Sequence, residues 1–370
     1  MLDYLPAPTC PDVTQVSFLI VGYGWRVPFF IRPALAFPDH FRVTGVVVRS
    51  DQRGLQVKEE TGLPAWRSIE EAVKADRPDF VIVSVPWEVA PQITRQVVAM
   101  GLPVLTETPP APSLESLVSL WNDVGGSGLV QVAEQYPRYP TQIARRHLID
   151  LGLIGTVNEV SISQTHQYHG VGVLRYLLGT RFEDATVLGT KSTHMLLDPL
   201  DRPGWNDGQG EKPIRNVRGT LQFAGGKTGY YDFTDNQWFN PLRTDQTMVR
   251  GSRGEIMEDR VTWMAGDREI LRGDLNRRQT GQGLSLEGND LNLINLGERV
   301  LYKNRWIPGR LADDEIAVTD LLAAMSEWIH GGGPEPYPLA EGSQDWALAL
   351  AIDQSIEENR PVEVSGLPWQ

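Results

Sequence analysis

The stretch Phe18-Leu19-Ile20-Val21-Gly22-Tyr23-Gly24-Trp25-Arg26-Val27 decides the fold. Four apolar residues run straight into two glycines at alternate positions, which describes a buried strand ending in a tight turn. Pro28 follows where a first helical turn tolerates a missing N–H. This is the opening of a dinucleotide-binding unit: Gly22 permits the turn, and Gly24 lets a pyrophosphate approach the backbone at a helix N-terminus, beside Trp25 and Arg26. Val27 holds the third fingerprint position, where Gly or Ala is usual. Outward from here, β-branched runs at 43–48, 80–85, 104–105 and 129–132 alternate with amphipathic segments, the pattern of βαβ units around a parallel sheet. Ser68 with Glu71, and Ser113, stand at helix N-cap positions.

After a helical reading over 141–151, closed by Gly152, the pattern changes to polar/apolar alternation at 157–164, 217–223, 228–234 and 269–272, with Gly225-Gly226 as a hairpin turn. A mostly antiparallel sheet is expected there, with two terminal helices near 314–329 and 343–359. The segment 196–213, dense in Asp, Pro and Gly, reads as a long surface loop. The expected organisation is an α/β chain with an N-terminal Rossmann dinucleotide-binding domain over 1–135 and a C-terminal α/β domain over 136–370.

The chain has 370 residues, 34 Lys+Arg against 47 Asp+Glu, and a formal net charge of -13, which argues against nucleic acid and anionic membrane surfaces as partners. The single cysteine, Cys10, excludes an intramolecular disulfide framework. No basic n-region with an apolar run opens the sequence and no apolar stretch reaches a membrane span, so a cytoplasmic location is expected.

Ligands of open α/β sheets sit at the carboxyl ends of strands. At the end of the second strand, Val48 stands where an NAD-type acid would hold the ribose 2'-hydroxyl, and Arg49 and Ser50 can accept a 2'-phosphate, which favours NADP. Arg49 stacking on adenine would leave NAD equally served. Pro86-Trp87 and Glu107-Thr108-Pro109 end two further strands, and 134–139, with Gln135 and Arg138, offers polar and aromatic contacts to a substrate. Arg138 could hold an anionic group or form an ordinary ion pair. His166, Tyr168 and His169 lie just past a strand. If that segment is extended, His166 and Tyr168 share one face and His169 takes the other, unless a turn intervenes. Two imidazoles with no third ligand do not make a metal site, so no metal is expected.

With the glycine turn, Val85-Pro86-Trp87, Glu107-Thr108-Pro109, His169 ahead of Arg175-Tyr176-Leu177-Leu178-Gly179, Gly251-Ser252-Arg253-Gly254-Glu255 and Asn359-Arg360-Pro361-Val362, the chain resembles the Gfo/Idh/MocA oxidoreductases over nearly its whole length. The resemblance implies a C-terminal domain with an open-faced sheet used for substrate binding and for homodimer or homotetramer contacts. It also implies an NAD or NADP cofactor and a sugar, sugar derivative or cyclitol as substrate. Two departures bear on mechanism. The family's usual Glu-Lys-Pro is Glu107-Thr108-Pro109, and the threonine cannot supply a cation to the reacting oxygen. The usual His-x-x-Asp is His169-Gly170-Val171-Gly172, which keeps the imidazole and loses the carboxylate.

The leading expectation is hydride transfer, with His169 as general base and Tyr168 or His166 steadying the oxygen. The altered motif also suits an NAD-dependent glycoside hydrolase that oxidises, eliminates and re-reduces with a recycled cofactor. A third reading is a cofactor- or sugar-binding relative that has lost catalysis.

Overall fold

The computed structural model describes residues 13–208, 210–283 and 288–370. Cys10, with the rest of 1–12, lies outside the described residues. The N-terminal sheet has six strands, β1 Val16–Val21, β2 Phe41–Val47, β3 Ala65–Trp66, β4 Phe80–Val83, β5 Val104–Thr106 and β6 Val130–Val132. They run parallel in the order β3-β2-β1-β4-β5-β6. Every residue of β1 and β4 is buried, which is why both read as unbroken apolar runs rather than alternations. Burying each such Val, Leu, Ile or Phe contributes roughly 1.5–3 kcal/mol, so a charge anywhere in β1 would be costly. The strand order reverses between β1 and β4, opening a crevice at their carboxyl ends. Both helix starts read from serines are in place: Ser68 accepts from the Glu71 N–H at 3.2 Å and Ser113 from that of Ser116 at 3.3 Å.

The second sheet has eleven strands. Its Val157–Ser163 strand pairs parallel with Thr228–Thr234 and antiparallel with Gln246–Gly251, and all its other neighbours are antiparallel. The expected hairpin at Gly225-Gly226 joins Lys212–Phe223 to Thr228–Thr234, closed by a 2.9 Å bond from the Phe223 N–H to the Lys227 carbonyl. Helices Gln167–Leu178 and Leu339–Glu358 cover one face.

Several expectations needed correction. The strand Ala185–Leu196 went unread, because most of its residues from Leu188 to Met195 are exposed and carry no alternation. Where a long surface loop is expected over 196–213, the chain forms a small hairpin, Leu200–Asp201 with Gly204–Trp205, and the next strand already begins at Lys212. The last helix starts at Leu339 rather than near 343. Among the described residues no helix is long and apolar enough to cross a membrane.

Two features bring the C-terminal half to the crevice. The Val132 N–H donates to the Tyr337 carbonyl at 2.8 Å, so the chain returns along β6 before its last helix. Helix Asp313–Ile329 packs on helix Pro28–Ala36, which sets its first turn beside the glycine turn.

Candidate active site

The crevice is a cleft of about 1390 Å³, lined from both halves of the chain. Its volume exceeds the roughly 300–1,000 Å³ of ordinary small-molecule pockets, leaving room for a dinucleotide together with a substrate. On the sheet side the lining includes Gly22, Gly24, Trp25, Arg26, Arg49, Ser50, Pro86, Trp87, Glu107 and Thr108. From the other side come Gln135, Tyr136, Tyr139, His166, His169, Arg202, Trp238 and Asp314.

The two glycines serve different ends. Gly22 has φ +103°, and a Cβ there would sit 2.0 Å from the Ser84 carbonyl oxygen, so the protein itself demands glycine. A Cβ on Gly24 would meet nothing within 4 Å. Its space opens to the cleft, next to a helix whose first turn carries no acidic residue. A diphosphate fits that cradle. Gly22→Ala is therefore expected to destabilise the fold by about 2–4 kcal/mol. Gly24→Ala should keep the wild-type melting temperature and lose tenfold or more in dinucleotide affinity; thermal denaturation and titration read the two effects separately.

At the end of β2, Val48 is buried, and Arg49 and Ser50 lie exposed on the cleft wall. The Ser50 hydroxyl caps helix Asp51–Thr61 by accepting from the Arg53 N–H at 3.2 Å. That N-cap stands beside Arg49, with Asp51 in the first turn of the helix.

The cleft floor is a connected polar network. Strand Val157–Ser163 ends, a turn follows, and helix Gln167–Leu178 begins with His166 at its N-cap. This puts His166 and His169 one helical turn apart on the same face, ring centroids 4.7 Å apart, and not on opposite faces as an extended segment would have it. His166 also meets Trp238 edge-on at 5.2 Å. Tyr168 is carried to the far side of the helix, where it is 1% exposed, packs near Trp346 and does not line the cleft. It cannot steady a reacting oxygen from there. Arg138 also misses the cleft, donating instead to the Pro336 carbonyl at 3.0 Å, and Pro109 is buried behind Thr108.

A carboxylate from just past another strand meets His169. Glu134, just past β6 and 0% exposed, approaches His169 Nδ1 with its Oε2 at 2.5 Å, while its Oε1 accepts from the Tyr136 N–H at 2.9 Å. Burial pushes Glu134 up to about 8 and His169 down to about 3, so each resists carrying a lone charge. His169 Nε2 has no hydrogen-bond partner among the described residues. Tyr136 stacks on His169 at 4.4 Å and on Tyr139 at 4.8 Å, holding the imidazole plane.

Tyr139 leads to a second cluster. Asp314 accepts from Tyr139 Oη at 2.8 Å, Gln135 Nε2 at 2.9 Å and Arg26 Nη1 at 2.6 Å. Arg26 Nε lies 3.5 Å from Glu107. Burial opposes the charge on Arg26, but Glu107 and Asp314 hold its pKa above the ordinary value. Burial raises Glu107. Sequence reasoning missed Glu134 as the partner of His169, and it missed Asp314 altogether. An acid directly after the apolar run of β6 was the available signal for the first, whereas nothing local marks the second.

Residues 16–134 match the model of the oxidoreductase family with an NAD-binding Rossmann fold. A curated relative, the uncharacterized protein y4oX of Sinorhizobium fredii, is 23% identical over 366 residues, covering 93% of each chain. An oxidoreductase from Agrobacterium radiobacter, solved in complex with NAD+, L-tartaric acid and magnesium, superposes with a TM-score of 0.68 at 16% identity, over 95% of this chain and 98% of that one. A myo-inositol dehydrogenase from Corynebacterium glutamicum gives a TM-score of 0.64 at 15% identity, over 95% and 99%. At such identities these structures speak for the fold. The N-terminal domain, residues 16–134, is thus similar to the NAD-binding Rossmann domain of the Gfo/Idh/MocA oxidoreductases, and the solved structures share the fold over nearly the whole chain.

Proposed function

We propose that the protein is an NAD(P)-dependent oxidoreductase acting on a sugar, sugar derivative or cyclitol, with His169 moving the hydroxyl proton. The observation that carries this reading is the His169–Glu134 pair, whose outer nitrogen remains available on the cleft wall. A nicotinamide ring held in the cleft supplies the hydride acceptor or donor. Gly22, Gly24, Arg49 and Ser50 would hold the dinucleotide, and Val48 where an NAD-type acid would stand, followed by the exposed Arg49, favours NADP.

The pair switches between acid and base by losing one proton. When both partners are protonated and neutral, the Glu134 hydroxyl donates to Nδ1 and Nε2–H points outward as a donor. When that proton leaves, Nδ1–H donates to the Glu134 carboxylate and Nε2 becomes an acceptor. The first form gives a proton to a carbonyl oxygen and the second takes one from a hydroxyl. Gln135, His166 and Trp238 line the same cleft as His169 and would meet a substrate bound there.

The test is turnover on a panel of polyols, cyclitols and sugar acids, followed at 340 nm with NAD+ and NADP+. We expect a stoichiometric absorbance change with at least one member. Product formed without net NAD(P)H change would identify the recycling hydrolase chemistry instead, and binding of dinucleotide with no turnover at all would mark a non-catalytic relative.

A further inference from the structure

The hairpin Leu200–Asp201 with Gly204–Trp205 carries Arg202 at its tip. It is held firmly at its base: Asn236 Nδ2 donates to Asp198 Oδ1 at 2.7 Å, to the Leu200 carbonyl at 3.0 Å and to Asp201 Oδ1 at 2.9 Å. Asn206 Nδ2 donates to Asp201 Oδ2 at 2.8 Å, and Lys212 Nζ lies 2.9 Å from Asp198 Oδ2. The nearby acids are thus engaged with other partners. Arg202 makes no ion pair with a carboxylate among the described residues.

Its guanidinium lies instead on the glycine turn of the other domain, 3.7 Å from the centroid of Trp25 and 5.9 Å from that of Phe239. Trp25 immediately follows Gly24, is 59% exposed and lines the same cleft as Arg202. An exposed tryptophan at that place, carrying a cation on its face, is a platform that fixes the direction of the guanidinium at little entropic cost. The two arginines on either side of the glycine turn are committed. Arg26 is paired with Asp314 and Glu107, and Arg53 donates to the Tyr23 carbonyl at 2.9 Å and to Gln56. Arg202, stacked on the residue next to Gly24, has no carboxylate partner among the described residues, and Arg49, also without one, stands at the end of β2.

We infer that Arg202 reaches from the C-terminal domain over the glycine turn and binds the diphosphate of the bound dinucleotide, with Trp25 as its platform; this rests on the dinucleotide reading above. The helix N-terminus and the Gly24 backbone contact the diphosphate from below, and a planar guanidinium closes it from above with two parallel N–H donors. The geometry favours the cofactor as the source of the anion, since the guanidinium sits on the glycine turn and only distantly meets Phe239. A phosphate or carboxylate on the substrate shares the same chemistry, and the experiment separates the two.

Calorimetric titration of wild type, Arg202→Ala and Arg202→Lys with NADPH, NADH, ADP-ribose and adenosine tests this. ADP-ribose keeps the diphosphate and lacks the nicotinamide, whereas adenosine has no phosphate. The alanine variant is expected to bind the dinucleotides and ADP-ribose roughly tenfold or more weakly, with the difference shrinking at high salt, and adenosine as wild type does. Lysine should restore part of the loss. Because Arg202 is exposed, an unchanged melting temperature serves as the folding control. Dinucleotide and ADP-ribose affinities equal to wild type in Arg202→Ala would overturn the inference, and a rise confined to the KM of a charged substrate would assign the anion to the substrate instead. A wild-type protein that binds no dinucleotide would overturn the underlying reading, a result distinct from either.

Discussion

Replacing His169 with alanine is expected to lower kcat on an identified substrate by a hundred- to ten-thousandfold while leaving the dissociation constant of the dinucleotide within a fewfold of wild type. The split follows from where His169 stands. It lines the cleft on helix Gln167–Leu178, across from the glycine turn, and its polar contact within the protein is with Glu134. Removing the imidazole deletes the proton acceptor and leaves the dinucleotide cradle at Gly22, Gly24 and Ser50 intact. It also leaves Glu134 buried without its partner, but burial already favours the neutral carboxyl, so the cost to folding is moderated by protonation. A thermal melt checks that the variant is folded. Loss of dinucleotide binding together with turnover would place His169 in the cofactor site instead.

The second large effect is expected from Glu134→Gln, and its signature is a pH profile. In wild type the pair loses one proton as pH rises through about 8, the value to which burial pushes Glu134. Below that pH, Nε2 carries hydrogen and donates. Above it, Nε2 accepts. Alcohol oxidation should therefore rise with pH through about 8, and carbonyl reduction should fall through the same region. A glutamine at 134 cannot take up that proton, and its amide N–H can bond Nδ1, which traps the hydrogen on Nε2. Oxidation is then expected to fall about a hundredfold or more, as loss of an orienting carboxylate does in other histidine-based sites. The inflection near 8 should disappear from both directions. Rates recorded between pH 6 and 10 in the two directions check this, and an inflection that persists in Glu134→Gln would assign the titration to another group.

How much of this was legible in the sequence depends on how local each feature is. The strand Phe18–Val21 and its glycine turn are contiguous, and both a fully buried parallel strand and a left-handed glycine leave marks within a few residues. The alternation at 228–234 was equally plain, because that strand has one covered face. Ala185–Leu196 has little covered surface, so nothing selects apolar residues at alternate positions, and it passed unread. The start of helix Gln167–Leu178 was hidden for a chemical reason: its N-cap is His166, with no Ser, Thr, Asp or Asn to announce it. That single omission put His166 and His169 on opposite faces and left Tyr168 in the site. Partners far apart in the chain stayed out of reach. His169 and Glu134 are separated by 35 residues, and Arg26 and Asp314 by 288, and it is the strand order and the packing of Asp313–Ile329 on Pro28–Ala36 that bring them together. Sequence spacing recorded Gly172 where the resemblance leads one to expect an acid, but not Glu134, which the end of β6 brings to the same imidazole.

The most direct test of the central claim is titration of the freshly purified protein with NADH and NADPH, together with mass spectrometry of any small molecule released when the protein is denatured. One dinucleotide per chain is expected, either carried through purification or bound on addition, with NADPH held more tightly than NADH because Val48 takes the place of an NAD-type acid and Arg49 follows it. A protein that releases no dinucleotide and binds neither added form would contradict it.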